Sequence, residues 1–229
     1  MTDIVQRAGH AGTLAPERQR VLRNTYALLA LSLVPTVAGT WLGIASGFNT
    51  WLAGSIWLSL LVFFGGAFAF IWGIQRNRDS GLGVVLLLAF TFFMGLMLSR
   101  LVGAILGMKN GADLVMTASG GTAVIFAAMA TLGTVIKRDL SGLGKFLCVG
   151  ALVVMIGAVA AIFLQMPALT LAILVLCLGI FSAFILYDVN QIVTGGETNY
   201  ISATLALYLD AFNVFQSLLS LLGIASGDD

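Results

Sequence analysis

Long apolar runs and short polar breaks alternate along the chain after its first 23 residues. There are seven runs, and they cover residues 26–45, 51–74, 82–106, 112–136, 145–165, 169–191 and 201–224. An α-helix needs about 20 predominantly apolar residues to cross the hydrocarbon core of a bilayer. Because lipid cannot satisfy unpaired backbone groups, the pattern predicts an all-α membrane protein that is a bundle of seven transmembrane helices.

The polar residues before the first run divide the chain into two parts. Residues 1–23 are predicted to form a polar cytoplasmic tail, and residues 24–229 a seven-helix transmembrane domain. The first apolar run is too long for the core of a secretory signal peptide, so we expect a membrane span there and no cleavable leader.

The composition excludes a soluble domain. Hydrophobic residues make up 59% of the chain and charged residues 9%, whereas soluble domains carry about 25% charged residues. The few Lys and Arg residues form no basic stripe, so we expect no nucleic-acid partner. No phosphate-binding loop, dinucleotide fingerprint or zinc-protease motif occurs, so we expect neither an enzyme nor a cofactor.

The positions of Lys and Arg predict the orientation in the membrane. With the N-terminus inside, the inner segments hold nine basic residues and the outer segments only Lys109. The nine are Arg7, Arg18, Arg20, Arg23, Arg76, Arg78, Lys137, Arg138 and Lys145. The positive-inside rule therefore predicts a cytoplasmic N-terminus. Seven full spans place the C-terminus outside, whereas a re-entrant sixth or seventh segment would leave it inside.

Three ionisable residues lie within the apolar runs, and such residues are the first candidates for function in a membrane protein. They are Arg100, Asp188 and Asp210. The two aspartates lie on the last two predicted helices, which a short loop joins as antiparallel neighbours. We therefore expect both carboxyl groups to face each other in the inner half of the membrane.

In a low-dielectric site, full ionisation of two neighbouring carboxyl groups is costly, and the two groups titrate together. Such a pair could bind Ca²⁺ through its oxygens, switch conformation with pH, or activate water as aspartyl proteases do. Alternatively, each aspartate only fixes packing through hydrogen bonds. The protease reading is weak, because no glycine-rich turn directly precedes Asp210.

Other polar and aromatic residues continue the faces on which the aspartates lie. Asp210, Asn213, Ser217 and Ser220 recur on one helix face. This stripe could line a hydrated path or join helices by hydrogen bonds. Phe181 and Phe184 lie on the face of Asp188 and could form an apolar gate. Arg100 is expected to reach the outer headgroups or to act as a fixed charge near an outer mouth.

Small residues four apart predict where helices approach each other closely. Gly65, Ala69 and Gly73 form one such row, and Gly157 and Ala161 form another.

Several segments resemble the Bax inhibitor-1 family, and in particular its bacterial YccA-like branch. The strongest are LYDVNQI at 186–192, GGETNYI at 195–201, LYLDAFNVF at 207–215 and LLSLLG at 218–223; VLRNTY at 21–26 and IFLQMPAL at 162–169 add to them. The resemblance implies a seven-helix protein of the bacterial inner membrane. It also implies a pH-sensitive calcium leak whose sensor is an aspartate pair matching Asp188 and Asp210.

The same resemblance supports a second function, because YccA-like members are implicated as modulators of the membrane-anchored FtsH protease. We therefore expect a pH-sensitive cation leak, with Ca²⁺ as the transported ion, or a regulator that binds an FtsH-type protease without transport.

Two positions depart from the family pattern. The family's calcium-leak members carry a latch arginine in the second span, where this chain has none, so Arg76 and Arg78 at its inner end become the candidate latch. Many members also have a glutamate where Met94 precedes Gly95 and Leu96.

Overall fold

A computed structural model describes residues 16–48 and 54–227 of the chain. The described residues form seven long helices, each apolar enough to cross a membrane. They are α1 (Pro16–Ala45), α2 (Ile56–Arg76), α3 (Gly81–Leu106), α4 (Gly111–Val135), α5 (Ser141–Leu164), α6 (Pro167–Thr194) and α7 (Tyr200–Ser226). The predicted seven-helix bundle is confirmed.

The first helix begins earlier than its apolar run. It starts at Pro16, so residues 16–23 of the predicted polar tail continue the first span as helix, and residues 1–15 lie outside the described residues. The charged side chains in this stretch lower its hydropathy but are good helix formers. Pro16 is tolerated in the first turn because the N–H groups there have no intrahelical acceptor.

The seventh helix lies at the centre of the bundle. It packs against α1, α2, α3, α4 and α6. In its most apolar 18-residue stretch 44% of the residues are buried, whereas none are in that of α2. The side chains of α2 and α5 mostly face outward, including Trp57, Leu61 and Phe146, as expected of helices that contact lipid.

The closest helix contact joins α1 to α3. A Cβ atom on Gly39 would collide with the backbone of Phe92, and one on Gly95 with the backbone of Thr36. The Thr40 hydroxyl donates to the Gly95 carbonyl at 3.1 Å. Small residues at these positions therefore allow the two backbones to touch.

A buried tyrosine connects this helix pair to the central helix. Tyr208 of α7 is 2% exposed, and its hydroxyl shares a 2.9 Å hydrogen bond with the Thr36 hydroxyl of α1. The same hydroxyl lies 3.4 Å from the Thr91 carbonyl of α3, to which it can donate. In a low-dielectric interior, these contacts satisfy a polar group that would otherwise be costly to bury.

The helix ends on the side where α1 begins, here called the N-terminal face, are joined by polar contacts. The Arg18 guanidinium donates to the Val193 carbonyl at the end of α6. The Asn199 amide donates to the Arg78 carbonyl and to the Asp79 carboxylate. These contacts bring the start of α1, the α2–α3 turn and the α6–α7 turn together. The positive-inside rule predicts that this face is cytoplasmic.

Of the two predicted rows of small residues, only one marks a close contact. Gly157 meets Ile173 of α6, as expected for a helix interface. In the other row, the prediction was wrong for Gly65, where a Cβ would have no neighbour within 4 Å, and for Ala69, which is exposed. A Cβ on Gly73 would lie 3.6 Å from Leu86 of α3, an ordinary contact. Spacing alone cannot tell a helix face that contacts protein from one that contacts lipid.

Replacing Gly95 with alanine tests the α1–α3 contact. The new Cβ must push α1 and α3 apart, and overpacking of this kind costs about 1–3 kcal/mol. We expect a lower thermal unfolding midpoint for the detergent-purified chain. Gly120→Ala is the matched control, because a Cβ there meets open space. Equal midpoints for the two variants would contradict the close contact.

Candidate functional site

The sequence of the α6–α7 turn sets the two aspartate-bearing helices side by side. Gly195 ends α6 in the left-handed conformation with φ 89°, which glycine adopts without strain. The Asn199 side chain then caps α7 by accepting from the Ile201 and Ser202 backbone amides at 2.9 and 3.1 Å. Only four residues, 195–198, separate the C-terminal residue of α6 from this cap, so the helices run antiparallel in contact.

The structure brings Asp188 and Asp210 together, as the sequence predicts. Their carboxyl groups lie within hydrogen-bonding reach of each other across the α6–α7 interface. Asp210 is 4% exposed and Asp188 is half-buried. One carboxylate oxygen of Asp210, Oδ2, is buried and has no hydrogen-bond partner.

A third acidic side chain acts on this pair. Glu197, in the α6–α7 turn, acts on Asp188 electrostatically, and its own carboxylate accepts from the Thr198 and Asn199 amides. Glu197 therefore adds negative charge on the side of Asp188, while the Arg18 guanidinium lies at the end of α6. A cation or a shared proton would relieve that charge.

Neither candidate latch arginine contacts the aspartates among the described residues. The Arg76 guanidinium lies 5.2 Å from the centre of the Trp72 ring, a cation–π arrangement at the surface of α2. Arg78 is exposed, and its carbonyl accepts from Asn199. The latch role of either side chain stays a prediction.

The polar stripe on α7 faces α6 in part. Ser217 is 1% exposed and hydrogen-bonds the Cys177 side chain of α6. The Asn213 side chain donates to the Leu209 carbonyl of its own helix at 2.8 Å, and Ser220 is half-buried. Ser217 thus contributes to helix packing in this structure, while a path along the stripe stays a prediction.

The predicted gate residues form an aromatic row on α6. The Phe181 and Phe184 rings lie 5.8 Å apart, and the Phe184 and Tyr187 rings 6.4 Å apart. Tyr187 packs directly over Gly144 of α5. The row therefore reaches the α5–α6 interface next to Asp188, and its role as a gate stays a prediction.

Sequence reasoning missed two polar residues that hold α6 near the pair. Asn190 is fully buried and donates to the Ile136 carbonyl at the end of α4 at 2.6 Å, while its own carbonyl oxygen has no partner. Arg18, counted only for topology, contacts the end of α6. For Asn190, the available signal in the sequence was its position two residues after Asp188.

Arg100 lies toward the opposite end of the bundle from Asp188. It is exposed near the end of α3 opposite the N-terminal face and lines a groove of about 490 Å³. The described residues contain no cluster of three or more His, Cys, Asp or Glu side chains that could hold a metal ion.

Comparison with known proteins shows relatives over nearly the whole chain. The sequence model described as "Inhibitor of apoptosis-promoting Bax1" matches residues 18–227. "Modulator of FtsH protease YccA" of Escherichia coli strain K12 and "Inner membrane protein YccA" of E. coli O6:H1 are each 38% identical over 99% of this chain and 100% of their own length. A membrane protein of Vibrio cholerae is 35% identical over 93% of both chains. The chain is therefore a multi-pass inner-membrane protein that belongs to the Bax inhibitor-1 family.

Proposed function

We propose that this protein is a pH-sensitive cation leak of the inner membrane, with Ca²⁺ as its ion, gated by Asp188 and Asp210. The observation that carries the proposal is the contact of their carboxyl groups at the α6–α7 interface, where Asp210 is almost completely buried. The described residues place no basic side chain against this largely buried acidic pair, which is costly to keep for packing alone.

The contact itself links protonation to the closed packing of α6 on α7. With one proton between them, the two carboxyl groups share a hydrogen bond. Without it, two negative charges face each other in a low-dielectric site and repel. Rising pH therefore favours separation of α6 from α7. The same negative charges then attract a divalent cation that prefers oxygen ligands, such as Ca²⁺.

Several other residues have proposed roles in this mechanism. Phe181 and Phe184 of α6 form the apolar constriction, and Asn213 and Ser220 of α7 line the route beyond the pair. Arg76 and Arg78 are the only basic residues at the end of α2 and in the following turn. To latch an aspartate, Arg76 has to leave the Trp72 ring.

Calcium flux into proteoliposomes between about pH 5 and pH 8 tests the proposal. We expect the flux of the native chain to increase several-fold as pH rises across this range, because deprotonation separates the pair. Asp210→Asn and Asp188→Asn each leave a neutral hydrogen-bonding side chain, so flux should stay low at every pH.

Asp113→Asn serves as the matched control, since Asp113 is exposed in the first turn of α4 at the opposite end of the bundle. It should keep the pH profile of the native chain. Thermal unfolding midpoints establish that each variant is folded. A folded native chain whose flux does not change with pH would overturn the proposed gating.

A second function is favoured by the E. coli relative named as a modulator of the FtsH protease, because its similarity extends over 99% of this chain. In this alternative the protein binds an FtsH-type membrane protease and regulates it. The polar tail that precedes α1 is the proposed cytoplasmic contact for that partner.

Deleting residues 1–15 tests the second function without disturbing α1, which begins at Pro16. We expect the shortened chain to lose co-purification with the protease and to keep its calcium flux, because Arg18 and its contact with α6 remain. Undiminished co-purification would show that the tail is not the binding element.

A further inference from the structure

We propose that the groove beside Arg100 binds an anionic phospholipid, with the phosphate on the guanidinium and an acyl chain along the apolar walls. The groove lies between α2, α3, α5 and α7, on the side opposite the N-terminal face. This site is separate from the aspartate pair, and it does not depend on the proposed leak.

The walls of the groove have the chemistry of a lipid-chain site. They are apolar over most of their surface and come from four different helices. The apolar lining includes Leu60, Phe63, Leu101, Ala104, Ile162 and Phe212. The volume of about 490 Å³ accommodates part of an acyl chain, and a groove open to the bilayer is filled by lipid without displacing water.

Three polar side chains line this apolar groove, Ser59, Arg100 and Gln216, and the last two are exposed at membrane depth. Arg100 lies six residues before the end of α3 and Gln216 ten residues before the end of α7. At 1.5 Å per residue, these positions are about 9 Å and about 15 Å from the helix ends. A polar side chain facing lipid at that depth is costly unless a partner satisfies it.

The depth of Arg100 indicates which partner fits. Helix α3 has 26 residues, a length of about 39 Å, and the hydrocarbon core takes about 30 Å of it. A centred α3 places the Arg100 backbone about 5 Å inside the hydrocarbon boundary, within reach of a headgroup phosphate for a long side chain.

The charge of Arg100 indicates an anionic lipid. Arg100 forms no ion pair with an acidic side chain in the part of the chain that the structure describes. Guanidinium groups bind phosphate through two parallel hydrogen bonds. In an anionic lipid such as phosphatidylglycerol no headgroup cation competes for the phosphate, and the Gln216 amide can donate to the glycerol ester oxygens.

Photo-crosslinking of the full chain in phosphatidylcholine vesicles tests the site. The probe is a phosphatidylglycerol with a diazirine in one acyl chain, and the comparison is a phosphatidylcholine with the same chain. We expect several-fold more labelling of the α3 and α7 peptides that line the groove by the phosphatidylglycerol probe. Arg100→Gln should abolish this preference, and Arg100→Lys should keep part of it.

Two further variants separate the phosphate contact from the chain contact. Ala104→Trp fills the groove from an exposed position and should remove the labelling although Arg100 is present. Arg138→Gln, at an exposed arginine in the α4–α5 turn on the N-terminal face, should leave the groove labelling unchanged.

Four results would overturn the proposal. Equal labelling by both lipids that Arg100→Gln does not change would identify ordinary surrounding lipid. Displacement of the probe by inorganic phosphate would identify a soluble anion as the ligand. Crosslinks from the groove to a second protein chain would identify a protein partner, and absence of labelling would exclude lipid there.

Discussion

Burial of α7 among five other helices is the constraint on which the rest of this structure depends. The buried polar side chains of a helix in that position need hydrogen-bond partners within the protein, because the apolar interior offers no other partner. Tyr208 meets this requirement through the Thr36 hydroxyl, and Ser217 through Cys177. Asp210 meets it only in part, through a second acid, Asp188, since one of its carboxylate oxygens has no partner. The central position of α7 thus leaves Asp210 facing a second acid, and the proposed gating depends on that contact.

The packing around α7 differs on its two sides. On one side, α1 and α3 approach so closely at Gly39 and Gly95 that no Cβ fits between them. On the other side, the contact with α6 includes the aspartates and a turn that contains Gly195. Helix α5 packs mainly on α6, and the Trp57 ring of α2 lies 5.7 Å from the Phe163 ring of α5. In the proposed mechanism, repulsion at the aspartates therefore moves α6 and α5 while the α1–α3–α7 part stays packed.

The aspartate pair could be predicted from the sequence because acids are rare in apolar runs and a short loop leaves neighbouring helices no alternative to antiparallel packing. Other contacts could not be predicted from the sequence. Arg18 reads as one of several basic residues that set topology, yet it binds the carbonyl of Val193, 175 residues away. Gly65 and Ala69 have the spacing of a helix interface and face outward. Contacts between distant segments leave no periodic pattern in the chain.

The sequence by itself determined the number of helices, their approximate limits, the family and the residues that carry charge into the membrane. These follow from local properties, since the run length needed to cross a bilayer and the cost of a buried charge do not depend on how helices are arranged. The tertiary structure alone decided which helix is central and which faces contact protein, and that Arg100 lies in an apolar groove with Gln216. These depend on which helices are neighbours, and hydrophobicity cannot encode that choice because lipid and protein interior are equally apolar.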